Sequence, residues 1–273
     1  MTLPNFVIAG VQKAGTSTLA ATLRTHRNIF MARPKELHFF DRHFDRGLEW
    51  YAEQFPVKRM HKVVGEATPS YLFEPSIRER MHQTLPEARI IVSLREPVSR
   101  AYSHYWHQRR KGNEHTESFE EALEREAERR AAEDVRLRVR HAYLARGFYL
   151  EQLQALTDLY GRDRVHVLLF EDLLEDRIPT LRRILGFLGL DEDDAETMPE
   201  RWNNRNRFQP DATGAATDTA RSSDGSEDEP AATTGSAYPR IDPGTAARLH
   251  ELYREPNRRL GEWLSRDLSH WDR

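Results

Sequence analysis

Short apolar runs, separated by stretches with helical spacing, recur along most of the chain. Phe6-Val7-Ile8-Ala9 reads as a buried first strand, and Thr18-Leu19-Ala20-Ala21-Thr22-Leu23 after it reads as a helix. Three later runs have the same character: Lys62-Val63-Val64-Gly65-Glu66, Ala88-Arg89-Ile90-Ile91-Val92-Ser93-Leu94 and Val165-His166-Val167-Leu168-Leu169-Phe170. They are β-branched or leucine-rich and do not alternate with polar residues, as expected of strands covered on both faces. The pattern predicts an α/β fold, a central parallel sheet flanked by helices on both faces. Such sheets collect ligands at the carboxyl ends of their strands, and Arg95 directly follows the run that ends at Leu94.

The pattern changes in two places. Residues 108 to 146 are dense in Arg and Glu, with Phe119, Ala122, Leu123 and Ala127 at helical spacing. This predicts a solvated helix pair laced by i,i+4 ion pairs; the alternative is that Arg136, Arg138 and Arg140 line an acceptor cleft. Residues 209 to 236 contain no large hydrophobic residue and are rich in Asp, Glu, Ser, Thr, Ala and Gly, which predicts a mobile surface loop. Helical periodicity returns from Ala246 to Leu268 through Leu249, Leu252, Tyr253, Leu260, Trp263 and Leu264. With no long linker before about residue 209, residues 1–273 read as a single domain.

Composition narrows the partners. The formal net charge is −3 with 31% of residues charged, so no bulk basicity points to nucleic acid, and any polyanion site has to be local. There is no cysteine, hence no disulfide, thiol nucleophile or cysteine metal site. The N-terminus does not resemble a signal peptide and no apolar run could span a bilayer, so the expectation is a cytoplasmic protein without a membrane partner.

Between the first strand and the first helix lies Gly10-Val11-Gln12-Lys13-Ala14-Gly15-Thr16-Ser17. It keeps the Gly-x4-Gly frame of a nucleotide-binding P-loop but moves the lysine from the seventh position to the fourth, so the sheet is P-loop-like. Glycine-rich turns of this kind hold anions on backbone N–H groups and a helix N-terminus. A P-loop kinase also needs a lysine after the second glycine and an acidic residue ending a nearby strand to hold Mg²⁺. Here Thr16 follows Gly15, and Arg95 stands where the acid would be. These features imply a nucleotide bound without metal and with a further phosphate to grip; an adenosine 3′,5′-bisphosphate carrying a 5′-sulfuryl group fits.

At these residues the chain resembles the PAPS-dependent sulfotransferases, in particular the heparan sulfate N- and 3-O-sulfotransferase branch. Four segments carry the resemblance: Gly10 to Leu19; Lys35-Glu36-Leu37-His38-Phe39-Phe40-Asp41 with Gly47-Leu48-Glu49-Trp50-Tyr51; Leu94-Arg95-Glu96-Pro97-Val98-Ser99-Arg100-Ala101-Tyr102-Ser103-His104-Tyr105; and Arg254-Glu255-Pro256-Asn257-Arg258-Arg259-Leu260. The resemblance implies transfer of a sulfuryl group from PAPS to a hydroxyl or amine of a carbohydrate or small-molecule acceptor, with PAP as product and no metal. It implies Glu36 as general base, its pKa raised toward neutrality, and Lys13 against the bridging oxygen of the leaving phosphate. It places Lys13, Ala14, Gly15, Thr16, Ser17 and Thr18 at the 5′-phosphate, Arg95 and Ser103 at the 3′-phosphate, and Gly147 and Tyr149 at the nucleotide pocket. His38 and Asp41 become acceptor-site residues.

Two departures from the family pattern stand out. The counterpart of its basic turn at the 3′-phosphate is Thr234-Gly235-Ser236, which lacks both cations, so the grip falls to Arg95, to backbone donors such as those of Thr234 and Gly235, or to Arg205 and Arg207. The lysine that 3-O enzymes carry after the glutamate of the second strand is Ala67. A P-loop kinase and a non-catalytic nucleotide-binding module of the same fold are the rival readings.

Overall fold

The structure, a computed structural model, describes residues 1–199 and 238–272. Five parallel strands, β1 (Phe6–Gly10), β2 (Ile29–Met31), β3 (Val63–Ala67), β4 (Arg89–Leu94) and β5 (Val165–Leu169), form one sheet in the order β2-β3-β1-β4-β5. The helices in chain order are α1 (Thr16–Leu23), α2 (Phe39–Arg42), α3 (Gly47–Glu53), α4 (Pro75–Thr84), α5 (Pro97–Arg110), α6 (Phe119–Glu124), α7 (Glu126–Arg130), α8 (Val135–Arg140), α9 (Tyr149–Tyr160), α10 (Phe170–Glu175), α11 (Arg177–Leu188) and α12 (Pro243–Leu264).

Alternate residues of the central strands serve opposite faces, which is why the runs are apolar throughout. Val7, Ala9, Ile90 and Val92 join a core with Ile77, Leu153 and Leu260 from α4, α9 and α12. Phe6, Ile8, Ile91 and Leu168 join the other, with Leu19 and Leu23 of α1 and Leu181, Ile184 and Leu185 of α11. Every one of these side chains is at most 3% exposed, so truncating one of the Leu, Ile or Phe residues to Ala costs about 2–5 kcal/mol. Gly65 is required on β3 because a Cβ there would lie 2.2 Å from the Phe6 ring. Strand β2 was not visible in the sequence. It is three residues long and is held by its ladder to β3, where Ile29 pairs with Val63.

The charged segment departs from the expected helix pair. Three short helices replace it, and several of its charges are internal. Glu114 accepts hydrogen bonds from Arg129 (2.6 and 3.0 Å) and Tyr143 (2.7 Å), and Glu126 takes the N–H groups of Leu144 and Ala145 (2.6 and 2.8 Å). Only Arg125–Glu121 among these pairs has the anticipated exposed i,i+4 form. Arg138 is committed to Glu74 at 2.7 Å and to the carbonyls of Ala132 and Glu133, so it braces α8 and does not line an acceptor cleft. Among the described residues no helix is long and apolar enough to cross a membrane. The segment 209–236 lies outside the described residues.

Candidate active site

The chain leaves β1 at Gly10 and enters α1 at Thr16. Lys13 (φ 75°) and Gly15 (φ 73°) adopt left-handed conformations, and Gly15 caps α1 without any side-chain hydrogen bond. A Cβ on Gly15 would sit 2.3 Å from the Phe170 ring, so both conformation and space demand glycine there. The first-turn N–H groups of α1 have no carbonyl within the helix and suit an anion.

Strand β4 braces this loop from below. Val11 N–H donates to the Ser93 carbonyl (2.8 Å), and the fully buried Ser93 hydroxyl donates to the Ala14 carbonyl (2.6 Å). At the end of β4 the Arg95 guanidinium donates to the Lys13 carbonyl (3.1 Å) and lies 5.6 Å from the Phe170 ring. Tyr149, expected at the nucleotide, is buried and spends its hydroxyl on the Arg95 carbonyl (2.8 Å), so it fixes the strand end that carries Arg95.

Helix α5 starts beside Arg95, with Glu96 capping it through the N–H groups of Val98 and Ser99. Its Ser103 is 1% exposed, and neither the Ser103 hydroxyl nor Nδ1 of His104 has a hydrogen-bond partner among the described residues. A buried hydroxyl left so is costly, and Ser103 therefore fits a ligand oxygen such as that of a phosphate. Arg146, which the sequence reading did not single out, donates to Gln12 of the loop at 2.9 Å; burial, with Arg100 nearby, lowers it to about 9. His107 was also missed. Burial, reinforced by Lys13 and Lys111, pushes its imidazole down to about 3 against the opposing pull of Glu36. Burial, then Arg146, Arg100, His107 and Lys13, likewise holds His104 well below the usual imidazole range. The loop thus sits in a positive local field that a net charge of −3 conceals. The i,i+4 spacing of Ser103 and His107 on α5 was the signal available for His107.

The second half of the site is the segment leading into α2. Glu36 (φ 64°) and His38 (φ 52°) are left-handed although neither is glycine, and Glu36 N–H is pinned to the carbonyl of Ala67 at the end of β3 (3.1 Å). The Glu36 carboxylate, 32% exposed, holds Lys35 Nζ at 2.5 Å and His38 Nε2 at 3.4 Å. On its other side His38 meets Asp41 at 2.9 Å, and Asp41 accepts the Ser70 hydroxyl at 2.6 Å. Burial pushes Glu36 up, but the Lys35 ammonium and His38 outweigh it and hold the carboxyl well below the usual range. This corrects the expectation of a raised base. Burial would lower His38, yet Asp41 and Glu36 raise it; burial would raise Asp41, yet His38 and Ser70 lower it.

Thr234, Gly235, Arg205 and Arg207 lie outside the described residues, so the turn expected at the 3′-phosphate is not part of this geometry. Among the described residues no three His, Asp or Glu side chains are grouped to hold a metal ion.

The family model of the sulfotransferase domain matches residues 3–264. The chain is similar to a sulfotransferase from Alicyclobacillus acidocaldarius of known structure, with 30% identity, a TM-score of 0.75 and coverage of 100% of both chains. It is 28% identical to mouse heparan sulfate glucosamine 3-O-sulfotransferase 3B1 over 99% of this chain and 65% of that protein. It is 30% identical to the Drosophila melanogaster bifunctional heparan sulfate N-deacetylase/N-sulfotransferase over 68% of this chain and 20% of that protein. The chain spans less than two thirds of the length of such curated relatives. With a phosphate-type loop, a buried serine fit for an anion and a match along nearly its whole length, the chain belongs to the sulfotransferase domain family.

Proposed function

We propose that this protein transfers a sulfuryl group from PAPS to a hydroxyl or amine of a carbohydrate or glycosylated small molecule, releasing PAP. The observation that carries the reading is geometric: Lys13 follows the carboxyl end of β1, and Glu36 is pinned by its N–H to Ala67 at the carboxyl end of the adjacent parallel strand β3 (3.1 Å), so both stand at the same edge of the sheet. Similarity to heparan sulfate sulfotransferases supports a sugar acceptor. A cysteine-free chain suits a reducing cytoplasm.

The residues present fit the donor. The loop from Lys13 to Thr18 takes the 5′-phosphate, and Arg95 with the Ser103 hydroxyl takes the 3′-phosphate. When bound, the donor supplies the sulfuryl group and a phosphate as leaving group. Glu36 accepts the proton of the attacking hydroxyl or amine as the new bond to sulfur forms, and Lys13 balances the charge left on the phosphate oxygen as the old S–O bond breaks. Lys35 competes for the same carboxylate at 2.5 Å, so acceptor binding has to displace it. His38 and Asp41 hold Glu36 in place from the other side.

Calorimetric titration with PAP, set beside ATP plus Mg²⁺, tests the donor; binding of ATP plus Mg²⁺ alone would turn the reading toward a kinase. Transfer of labelled sulfur from PAPS to a panel of sugars, phenols and amines tests the acceptor, and transfer to phenols but no sugar would overturn the carbohydrate assignment.

A further inference from the structure

Glu66 takes no part in the chemistry above, yet it is the most enclosed carboxyl beside it. It lies on β3, 1% exposed. Its Oε1 accepts the Tyr51 hydroxyl at 2.5 Å, its Oε2 accepts the Thr68 hydroxyl at 2.6 Å, and the Tyr71 hydroxyl stands 3.3 and 3.4 Å from the two oxygens. Tyr51 comes from α3, and Thr68 and Tyr71 come from the turn after β3. The Tyr71 hydroxyl also accepts the N–H of Phe40, the residue before Asp41. Phe39 stacks on Tyr51 with ring centroids 4.2 Å apart, and Phe40 meets Tyr71 edge to face at 5.1 Å. One residue on from Glu66, the Ala67 carbonyl holds the Glu36 N–H. The segment from Glu36 to Asp41 is therefore tied at both ends to the immediate surroundings of this one carboxyl.

We infer that Glu66 is a positioning residue for the transfer reaction, its carboxylate organising the hydroxyls and rings that set the Glu36–Asp41 segment against the acceptor. The inference rests on the assignment of Glu36 as base.

An ionised carboxylate can accept from all three hydroxyls at once, whereas a protonated one must donate, so a hydroxyl has to turn and the contact to Phe40 loosens. The titratable groups facing it are Tyr51 from α3, Tyr71 from the turn and Asp41 from α2. Burial raises the Glu66 carboxyl to about 7 against the pull of Thr68, Tyr51 and Tyr71, with Asp41 adding to the rise. Because this folded value lies above the ordinary 4.5, the group destabilises the fold increasingly as pH rises from about 4.5 to about 7. The site is thus organised best above the carboxyl's own titration, at a cost in stability.

The test uses the full chain and no particular acceptor. Release of PAP from PAPS by slow transfer to water is followed from pH 5.5 to 8.5 for wild type, Glu66→Gln and Tyr71→Phe, together with melting temperature and the carboxyl ¹³C shift of Glu66, identified by its loss in Glu66→Gln. We expect an inflection near pH 7 in both rate and ¹³C shift of the wild type. Glu66→Gln should lose the inflection and roughly ten- to a hundredfold in kcat with donor KM unchanged, and its melting temperature should vary less with pH. Tyr71→Phe removes one donor to the carboxylate, so the inflection should move to higher pH with a smaller loss of kcat. If Glu66→Gln does not fold, Tyr71→Phe decides alone: an unmoved inflection with unchanged kcat overturns the inference. A carboxyl that titrates near its ordinary value, or a kcat in Glu66→Gln equal to wild type, overturns it as well. No PAP release by wild type would instead defeat the sulfotransferase reading while leaving the titration of Glu66 measurable.

Discussion

The proposed donor and acceptor halves of the site are built by different means. The donor half, residues 10–18 with Arg95, is held chiefly through main-chain carbonyls: Ser93 accepts from Val11, Ala14 accepts from the Ser93 hydroxyl, and Lys13 accepts from Arg95. The acceptor half, residues 35–41, is held by side chains that carry protons, in the row Lys35, Glu36, His38, Asp41. A grip made from main-chain geometry does not titrate near neutrality, whereas a row of acids and bases does. Above the second ionisation of the nucleotide's own phosphates, at about pH 6, nucleotide binding should accordingly be indifferent to pH over a range in which turnover changes.

The sharpest way to separate the halves is Glu36→Gln. Turnover should fall by about 10²- to 10⁴-fold while calorimetric affinity for PAP stays at the wild-type value; full activity would remove Glu36 from the base role. Lys13→Ala probes the other half, and kcat at saturating PAPS should fall by roughly 10²- to 10³-fold. An unchanged maximal rate would detach Lys13 from the leaving group. Ser93→Ala touches only the brace. It leaves the Ala14 carbonyl without its buried donor, so denaturant melts should show a loss of about 1 kcal/mol, with weaker PAP binding and an unshifted pH profile. A shifted profile would blur the distinction between the halves.

The smallest effect on plateau rate and the clearest on pH belongs to Lys35→Met. As the proposed base Glu36 must be ionised, and its lowered pKa keeps it ionised down to and below the ordinary carboxyl value of 4.5, which sets its acid limb apart from the inflection near pH 7 expected from Glu66. Without the ammonium, burial raises the carboxyl, and the acid limb of kcat/KM should move toward neutrality. An unmoved limb in a pH series would show that Lys35 does not govern the base.

The donor half was largely legible in the sequence because its parts are contiguous: an apolar strand, two glycines, a lysine and a helix follow one another from Phe6 to Leu23. The acceptor half was legible in its residues but not in its electrostatics. Neighbouring side chains ordinarily point apart, and nothing in Lys35-Glu36 announces a left-handed turn at Glu36 that brings the two charges together. The charged stretch 108–146 misled for a related reason. Glu114, Glu126 and Arg146 look like surface residues by composition, and only pairing brings them inside. Strand β2 was hidden because three residues carry too little pattern to read alone.

Three non-glycine residues of the cleft, Lys13, Glu36 and His38, sit in left-handed backbone conformations. Each costs the fold about 1–2 kcal/mol relative to a relaxed residue, a cost that glycine at the same position escapes. Laboratory selection for thermal endurance alone would therefore favour glycine at these positions and erase the side chains on which the proposed reaction depends. Any stabilised descendant of this protein needs its activity selected alongside its melting point.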